Sequence, residues 1–392
     1  MPSVLLVHNH YLQRGGEDAV FDAERSVLHR SAAVVGCYET SSTALESESP
    51  MSIAARSIWN RRACDEIVDW VRSNPDPIVH VHNTFPVISP AVIQAAHAAG
   101  AAVVVTVHNQ RMVCANGLYF RDGAVCTECR TTMLPWPAIQ HRCYRGSVGA
   151  SAAAALMISV HRLAGTWRKH VSCFIAPSDF MRQQLMSQGI ESDAVVVKPH
   201  FLPNDPGVDK QREPVALFVG RLSSEKGIAT LLEAWSQKPR RCTLKIIGDG
   251  PLRAQVEHAV RRGNNVEYLG AQAPDEVFNR FRRAQFVLVP SSSFESFGRT
   301  VIEAYATGTP VIAARSGALV ELIAQGETGL LFEPDQATPL SDCIDALDTD
   351  EPYCARMGAA ARARFLRVYT VEPHVHAMAK IYQQARERRK LM

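Results

Sequence analysis

Short apolar runs alternate with helix-period segments along most of the chain, and the alternation stops and restarts once. Ser3–His8, Ile78–His82 and Val103–His108 are apolar runs bounded by polar, Gly or Pro residues. Segments 17–30, 88–99 and 178–188 lie between or after them with apolar residues at helical spacing. A strand–helix alternation of this kind folds as parallel sheets joined by crossover helices. It breaks between Lys198 and Pro214, a polar stretch holding Pro199, Pro203, Pro206 and Gly207, which has the composition of a linker. Strands are then expected over 215–220, 243–248, 286–290 and 309–313, with helices over 228–236, 251–262, 274–283 and 299–307. The expected architecture is α/β, with two doubly wound domains facing a cleft. An N-terminal domain spans 1–198 and carries a cysteine-containing loop, 109–147. The linker is 199–213, the second domain 214–370, and a last helix, 371–392, packs back on the first domain. Ligands of such sheets sit at the carboxyl ends of the strands.

The 392 residues are 46% hydrophobic and 21% charged, which excludes wholesale disorder. Lys and Arg number 42 against 39 Asp and Glu, a balance that argues against a nucleic-acid partner. Met1-Pro2-Ser3 leads directly into Val4-Leu5-Leu6-Val7 without a basic leader region. The apolar stretch 148–160 falls short of the ~20 residues of a membrane span. A cytoplasmic location with reduced cysteines is therefore expected.

The densest chemistry lies in Pro290-Ser-Ser-Ser-Phe-Glu295-Ser-Phe297-Gly298-Arg299-Thr-Val-Ile-Glu303. This segment leaves a strand and enters a helix, so the amides of Phe297, Gly298 and Arg299 fall in a first turn suited to anionic oxygens. Glu295 and Glu303 are spaced to point into one cleft, or else to cap the helix and face solvent. In Gly220-Arg221-Leu-Ser-Ser-Glu225-Lys226-Gly227, two cations flank the loop after another strand. They suit a diphosphate without a metal, or else pair with Glu225 at the surface. Gly15-Gly16 opens the first helix and permits close backbone approach, but it is no GxGxxG fingerprint. His80, His82 and His108 end two strands as candidate hydrogen-bonding or general-base groups, or as structural histidines.

Taken together, SxxExFGxxxxEAxAxGxPV around Glu295 and Glu303, GRLxxEKG upstream and Val266-Glu-Tyr-Leu269-Gly270 between them resemble the retaining family 4 glycosyltransferases. The resemblance runs from Val215 to about Phe332; Gly15-Gly16 and Thr106-Val-His108 fit more loosely. It implies the GT-B fold, two Rossmann-like domains with a nucleotide sugar held mainly by the second. Arg221 and Lys226 then form the diphosphate clamp. Glu295 and the 297–299 amides hold donor-sugar hydroxyls, Glu303 holds ribose hydroxyls, and the backbone near Leu269 meets the base. Gly16, with Gly15, approaches the phosphates, and His108 lies near the reacting sugar. Arg299 departs from the family pattern, as either an extra phosphate contact or a solvent-facing side chain. The implied activity is metal-independent hexosyl transfer from a UDP- or GDP-sugar to a glycan or lipid-linked acceptor, as in bacterial surface polysaccharide synthesis. A nucleotide-sugar 2-epimerase and a non-catalytic sugar-nucleotide binder are the alternatives.

Two further features concern the N-terminal half. Residues 129–178 contain no Asp or Glu but hold Arg130, Arg142, Arg145, Arg162, Arg168 and Lys169, with Trp136, Tyr144 and Trp167. Cations with aromatics around an apolar helix suggest peripheral docking on an anionic membrane; a buried helix with solvated basic ends is the other reading. Cys114, Cys126, Cys129 and Cys143 cluster in a long loop, with His141 as a substitute ligand. Their spacing suggests a structural, non-catalytic zinc site, with disulfides or chance clustering as rivals.

Overall fold

The computed structural model describes residues 3–12, 14–30, 35–45, 48–209 and 211–392, so Met1 and Pro2 lie outside it. Contacts gather into two compact units. The first takes residues 1–119, 126–203 and 371–392; the second takes 120–125 and 204–370.

In the first unit, β1 (Ser3–His10), β2 (Val35–Ser41), β3 (Pro77–Asn83) and β4 (Ala102–Thr106) precede a two-stranded hairpin, β5 (Phe120–Arg121) and β6 (Ala124–Val125), which clusters with the second unit. β7 (Cys173–Ala176) and β8 (Val195–Val197) complete a six-stranded parallel sheet ordered β2-β1-β3-β4-β7-β8. Alternate residues of β1 enter different cores. Leu5 and Val7 pack with Ile67, Val71 and Met181 from helices on one face. Val4 and Leu6 pack with Phe21 of the helix Gly16–Arg30 and with Met378, Ile381 and Ala385 of the last helix, Val371–Arg389. Each such Leu or Ile contributes about 1.5–3 kcal/mol by leaving water. The last helix is thus a structural layer of the first unit.

The second unit repeats the plan with β9 (Val215–Val219), β10 (Thr243–Ile247), β11 (Val266–Gly270), β12 (Phe286–Val289), β13 (Val311–Ala314) and β14 (Gly329–Phe332). Its parallel order is β11-β10-β9-β12-β13-β14. In each sheet the chain builds outward from its first strand in one direction, then returns and builds in the other. The switch points lie between β1 and β3 and between β9 and β12, where ligands of doubly wound sheets bind.

The Pro-rich stretch between the sheets is anchored at both ends. Phe201 is buried with Ala23 and Val27 and stacks on His374, with ring centroids 3.6 Å apart. Arg212 donates to the carbonyls of Phe281, Ala284, Thr307 and Gly308 and to Thr309 Oγ1. These carbonyls end a helix and a turn of the second unit, and the guanidinium supplies donors they would otherwise lack. Arg212→Ala is expected to destabilise the chain by about 2–3 kcal/mol, read from urea unfolding. A change under about 0.5 kcal/mol would mean the anchor carries no stability.

Candidate active site

The candidate residues of the second unit gather at the β9/β12 switch point. Gly227 has φ +68°, and a Cβ there would stand 1.8 Å from the Pro290 carbonyl oxygen, so only glycine lets the loop after β9 lie on the end of β12. The amides of Ser292 and Ser293 close the contact by donating to the Glu225 carbonyl at 3.0 and 3.2 Å. Gly317 does the same from the far side: its φ is +56°, and a Cβ would lie 2.4 Å from the Glu295 carbonyl oxygen. Glu295 is therefore held between two close backbone contacts.

Within that frame Lys226 Nζ and Ser291 Oγ both donate to Glu295 Oε1, each at 2.6 Å. Burial pushes the carboxyl up, but Lys226 and Ser291 outweigh it and hold it below the usual range. Burial likewise lowers the Lys226 ammonium, and Glu295 more than restores it. The partner of Lys226 is thus Glu295 and not Glu225, whose carboxylate accepts from Ser223 Oγ. Arg221 is exposed and, among the described residues, makes no ion pair. Two cations, one engaged and one in solvent, end the same loop.

The helix Arg299–Ala306 starts from Gly298, whose φ of +94° supplies the left-handed entry. Phe297 is buried and packs edge-on to Tyr369, so its side chain is core and only its backbone is available to a ligand. Arg299 neither faces solvent alone nor stands free for a phosphate. Its Nε donates to Glu303 Oε1 at 2.7 Å, one helical turn on. Burial raises the Glu303 carboxyl despite Arg299. Leu269 is half-buried on β11, two strands from the switch point.

The first unit carries candidate residues of its own. Gly15 donates its amide to Asp18 Oδ2 at 2.8 Å as the helix Gly16–Arg30 begins. A Cβ on Gly15 would meet nothing within 4 Å, so the chain's own packing does not require glycine there. Glu17, beside it, accepts from Asn109 Nδ2 at 3.1 Å, and burial pushes its carboxyl to about 8 despite Arg111. His108 lines a cavity of about 80 Å³ together with His82, Asn83, Phe85, Asn109 and Arg111. His82 Nδ1 lies 3.1 Å from His108 Nε2. His80 is structural: it is fully buried, with Nδ1 on Tyr382 Oη and Nε2 on Thr106 Oγ1.

The expected zinc site finds no support in the geometry of the four cysteines: among the described residues, no group of three ligand atoms within 4.8 Å of one another includes any of them. Among the described residues, only His8, His10 and Asp18, and separately Glu24, His80 and His82, bring three ligand atoms within 4.8 Å of one another. In the first group Asp18 Oδ1 is met by His8 and His10; in the second His80 Nδ1 is met by Tyr382 Oη, while Glu24 Oε2 and His82 Nε2 have no hydrogen-bond partner among the described residues. Cys114 Sγ donates to Asn116 Oδ1 at 2.9 Å, and burial, with Cys114, Cys143 and Cys126 nearby, pushes the Cys129 thiol to about 11. The loop is ordered by an apolar cluster of Phe85, Ala115, Cys129, Ala138, Ala154 and Met157.

Sequence reasoning missed Glu24, Lys198, His200 and His374, all buried around β3 and its neighbours. Glu24 carried a readable signal, because it falls on the apolar stripe of Val20, Phe21, Val27 and Leu28. A carboxylate on a core-facing stripe needs a buried partner.

Residues 205–364 match the family described as "Glycosyl transferases group 1". An uncharacterized glycosyltransferase of Methanocaldococcus jannaschii is 34% identical over 170 residues, 43% of this chain and 47% of that protein. A D-inositol 3-phosphate glycosyltransferase of Corynebacterium diphtheriae is 36% identical over 159 residues, 38% and 37% of the respective chains. The chain spans less than half the length of these curated relatives. Among solved structures, Anabaena HepE in complex with UDP superposes with a TM-score of 0.69 at 17% identity, covering 96% of this chain and 98% of that one. Sucrose-phosphate synthase from Thermosynechococcus elongatus gives 0.68 at 17% identity, covering 98% and 99%. The fold is accordingly GT-B, with two Rossmann-like doubly wound domains.

Gly227→Ala forces a side chain into the Pro290 carbonyl. It is expected to cost more than about 1 kcal/mol, read from thermal unfolding; an unchanged midpoint would show that the close contact carries no stability.

Proposed function

We propose that this chain is a retaining glycosyltransferase that moves a hexose from a nucleoside-diphosphate sugar, UDP- or GDP-linked, to a glycan or lipid-linked acceptor. The observation that carries this reading is the Lys226–Glu295–Ser291 arrangement, held at the β9/β12 switch point with Arg221 exposed on the same loop. The match of residues 205–364 to group 1 glycosyltransferases supports it. So does the structural likeness to HepE, which has been solved with UDP and with UDP-glucose.

In this reading the diphosphate exchanges places with the Glu295 carboxylate on Lys226, and Arg221 takes the second phosphate. Glu295, released from the ammonium, accepts from donor-sugar hydroxyls together with the 297–299 backbone. Glu303 accepts from the ribose, with Arg299 holding it in place, and the backbone near Leu269 meets the base. Gly15 and Gly16 let the phosphates approach, and His108 meets the sugar from the first unit. The bond from the anomeric carbon to the diphosphate oxygen breaks as the acceptor oxygen bonds to the same face of that carbon. The acceptor's proton passes to the departing diphosphate. Preorganised positive charge at the leaving group is the main catalytic device, so the chemistry needs no divalent ion. Arg221→Ala and Lys226→Ala are each expected to lower turnover by roughly 10²–10³-fold. Nucleoside-diphosphate affinity should fall in parallel. Unchanged turnover and affinity in both variants would refute the clamp. Nucleoside diphosphate released only when acceptor is present separates transfer from 2-epimerisation, and no release under any condition would leave simple binding.

The same reading places the acceptor at a membrane surface, on the cytoplasmic side, as in surface polysaccharide synthesis. The helical segment Val148–Lys169 is apolar, with a mean hydropathy of 1.3, but 44% of that window is buried. Its inner face packs in the first unit through Ala154, Met157 and Ile158. Met133, Leu134, Trp136 and Leu163 are exposed around it, as are Met51 and Trp59. Arg130, Arg142, Arg145, Arg168 and Lys169 are exposed as well. Arg162 instead turns inward to the Thr132 carbonyl, Trp167 is buried, and Tyr144 packs on Phe85. The anchoring set is therefore Trp136 and its apolar neighbours with five cations. Flotation with anionic vesicles at low salt is expected to carry the protein upward. Trp136→Ser with Arg142→Ser and Arg145→Ser should leave it at the bottom, and wild type that never floats would sink this part of the reading.

A further inference from the structure

Behind His108 runs a line of buried polar groups that the transfer chemistry leaves unused. Lys198 Nζ donates to Glu24 Oε1 at 2.8 Å and lies 2.9 Å from His374 Nδ1. Glu24 Oε2 lies 3.2 Å from His82 Nε2 as an ion-pair contact, and neither atom has a hydrogen-bond partner among the described residues. His82 Nδ1 then meets His108 Nε2 at 3.1 Å, the two rings stacked with centroids 5.3 Å apart. Glu24 is fully buried, Lys198 is 2% exposed and His82 5%. Burial opposes charge on Glu24, yet Lys198 and His82 hold its carboxyl well below the usual range, so it stays an anion.

These contacts fix the protons one after another. A buried carboxylate oxygen 3.2 Å from a ring nitrogen requires a proton on that nitrogen, since two lone pairs would otherwise oppose each other without water. As a neutral imidazole with its proton on Nε2, His82 presents Nδ1 as an acceptor. Its partner at 3.1 Å must be the donor, so His108 carries its proton on Nε2. Burial and the neighbouring His200 and His82 keep His108 neutral. Its Nδ1 makes no protein hydrogen bond among the described residues and is left with a lone pair.

We propose that Glu24 and His82 are positioning residues that hold His108 as its Nε2–H tautomer, so that Nδ1 accepts a hydrogen bond from a sugar hydroxyl. This rests on the reading of His108 as a sugar contact. Carboxylate–imidazole pairs that orient a working group typically lose roughly 10–100-fold in function when the outer partner is changed.

The test is nitrogen NMR of the full chain labelled with [15N]histidine, the His108 signals being assigned with His108→Gln. In wild type both His82 and His108 are expected to be protonated at Nε2 alone. In Glu24→Gln, Lys198 can only donate, so it holds the Gln oxygen and leaves the amide NH2 facing His82. His82 should then shift its proton to Nδ1, and His108 should follow to its own Nδ1. Turnover of UDP-glucose should fall 10–100-fold with UDP affinity within about twofold, because the clamp is untouched. Wild-type His108 protonated at Nδ1 would overturn the proposal even if the variant fails to fold. Unchanged tautomers in folded Glu24→Gln, or inverted tautomers with full turnover, would also overturn it. Wild type that turns over no nucleotide sugar would refute the transferase reading alone, because the tautomers are read without turnover.

Discussion

A parallel sheet covered on both faces leaves its polar side chains few places to go except the carboxyl ends of its strands. Both units obey this constraint. In the second, β9 and β12 are apolar throughout, and every charged group of the candidate site comes after Val219 or Val289. In the first, β1 and β3 end in His8, His10, His82 and Asn83, while the mid-strand His80 is met by Tyr382 and Thr106. The switch point then selects which loops can share a ligand, because only there do two strand ends diverge to opposite helical layers.

Holding charge at such a point requires a resting partner for it. Lys226 cannot stay partly buried and unpaired at acceptable cost, and Glu295 serves as its counter-ion. The same carboxylate accepts from Ser291, so one oxygen carries two donors at 2.6 Å. A diphosphate replacing it on Lys226 brings more charge and more acceptor oxygens, and the released Glu295 becomes available for hydroxyls. Arg299 and Glu303 show the same economy one helix later, where each satisfies the other. The glycines at 227 and 317 make this possible by letting backbone approach backbone on either side of Glu295.

The α/β alternation and the motif around Glu295 were legible in the sequence because both are local. Strand runs, turn residues and the Glu295-to-Glu303 spacing all lie within short windows. The cysteines are neighbours in space as well as in sequence, since Cys114, Cys143 and Cys126 all act on the Cys129 thiol, but no group of three ligand atoms within 4.8 Å of one another includes them among the described residues. Cys114 donates to Asn116, and Cys129 packs in an apolar cluster with Phe85, Ala115 and Ala138. The aromatic count around Val148–Lys169 misled, since Trp167 turns inward and Trp59, outside the segment considered, is exposed. What could not be read were pairings across long separations. Lys198 stands 174 residues from Glu24, and Tyr382 stands 302 from His80.

Those distant pairings explain why the last helix belongs to the first unit. A buried anion at Glu24 is tolerable only with a cation and further polar groups about it. Lys198 arrives from the end of β8, and His374 and Tyr382 arrive from the helix Val371–Arg389. The helix brings apolar cover as well, placing Met378, Ile381 and Ala385 against Val4, Leu6 and Val104. Its polar and apolar contributions are inseparable, because the same face that completes the core also closes the network behind His82. Remote segments of chain, brought together by the burial of apolar surface, thereby set the protonation of a strand-end histidine whose local sequence marks its place but not its proton.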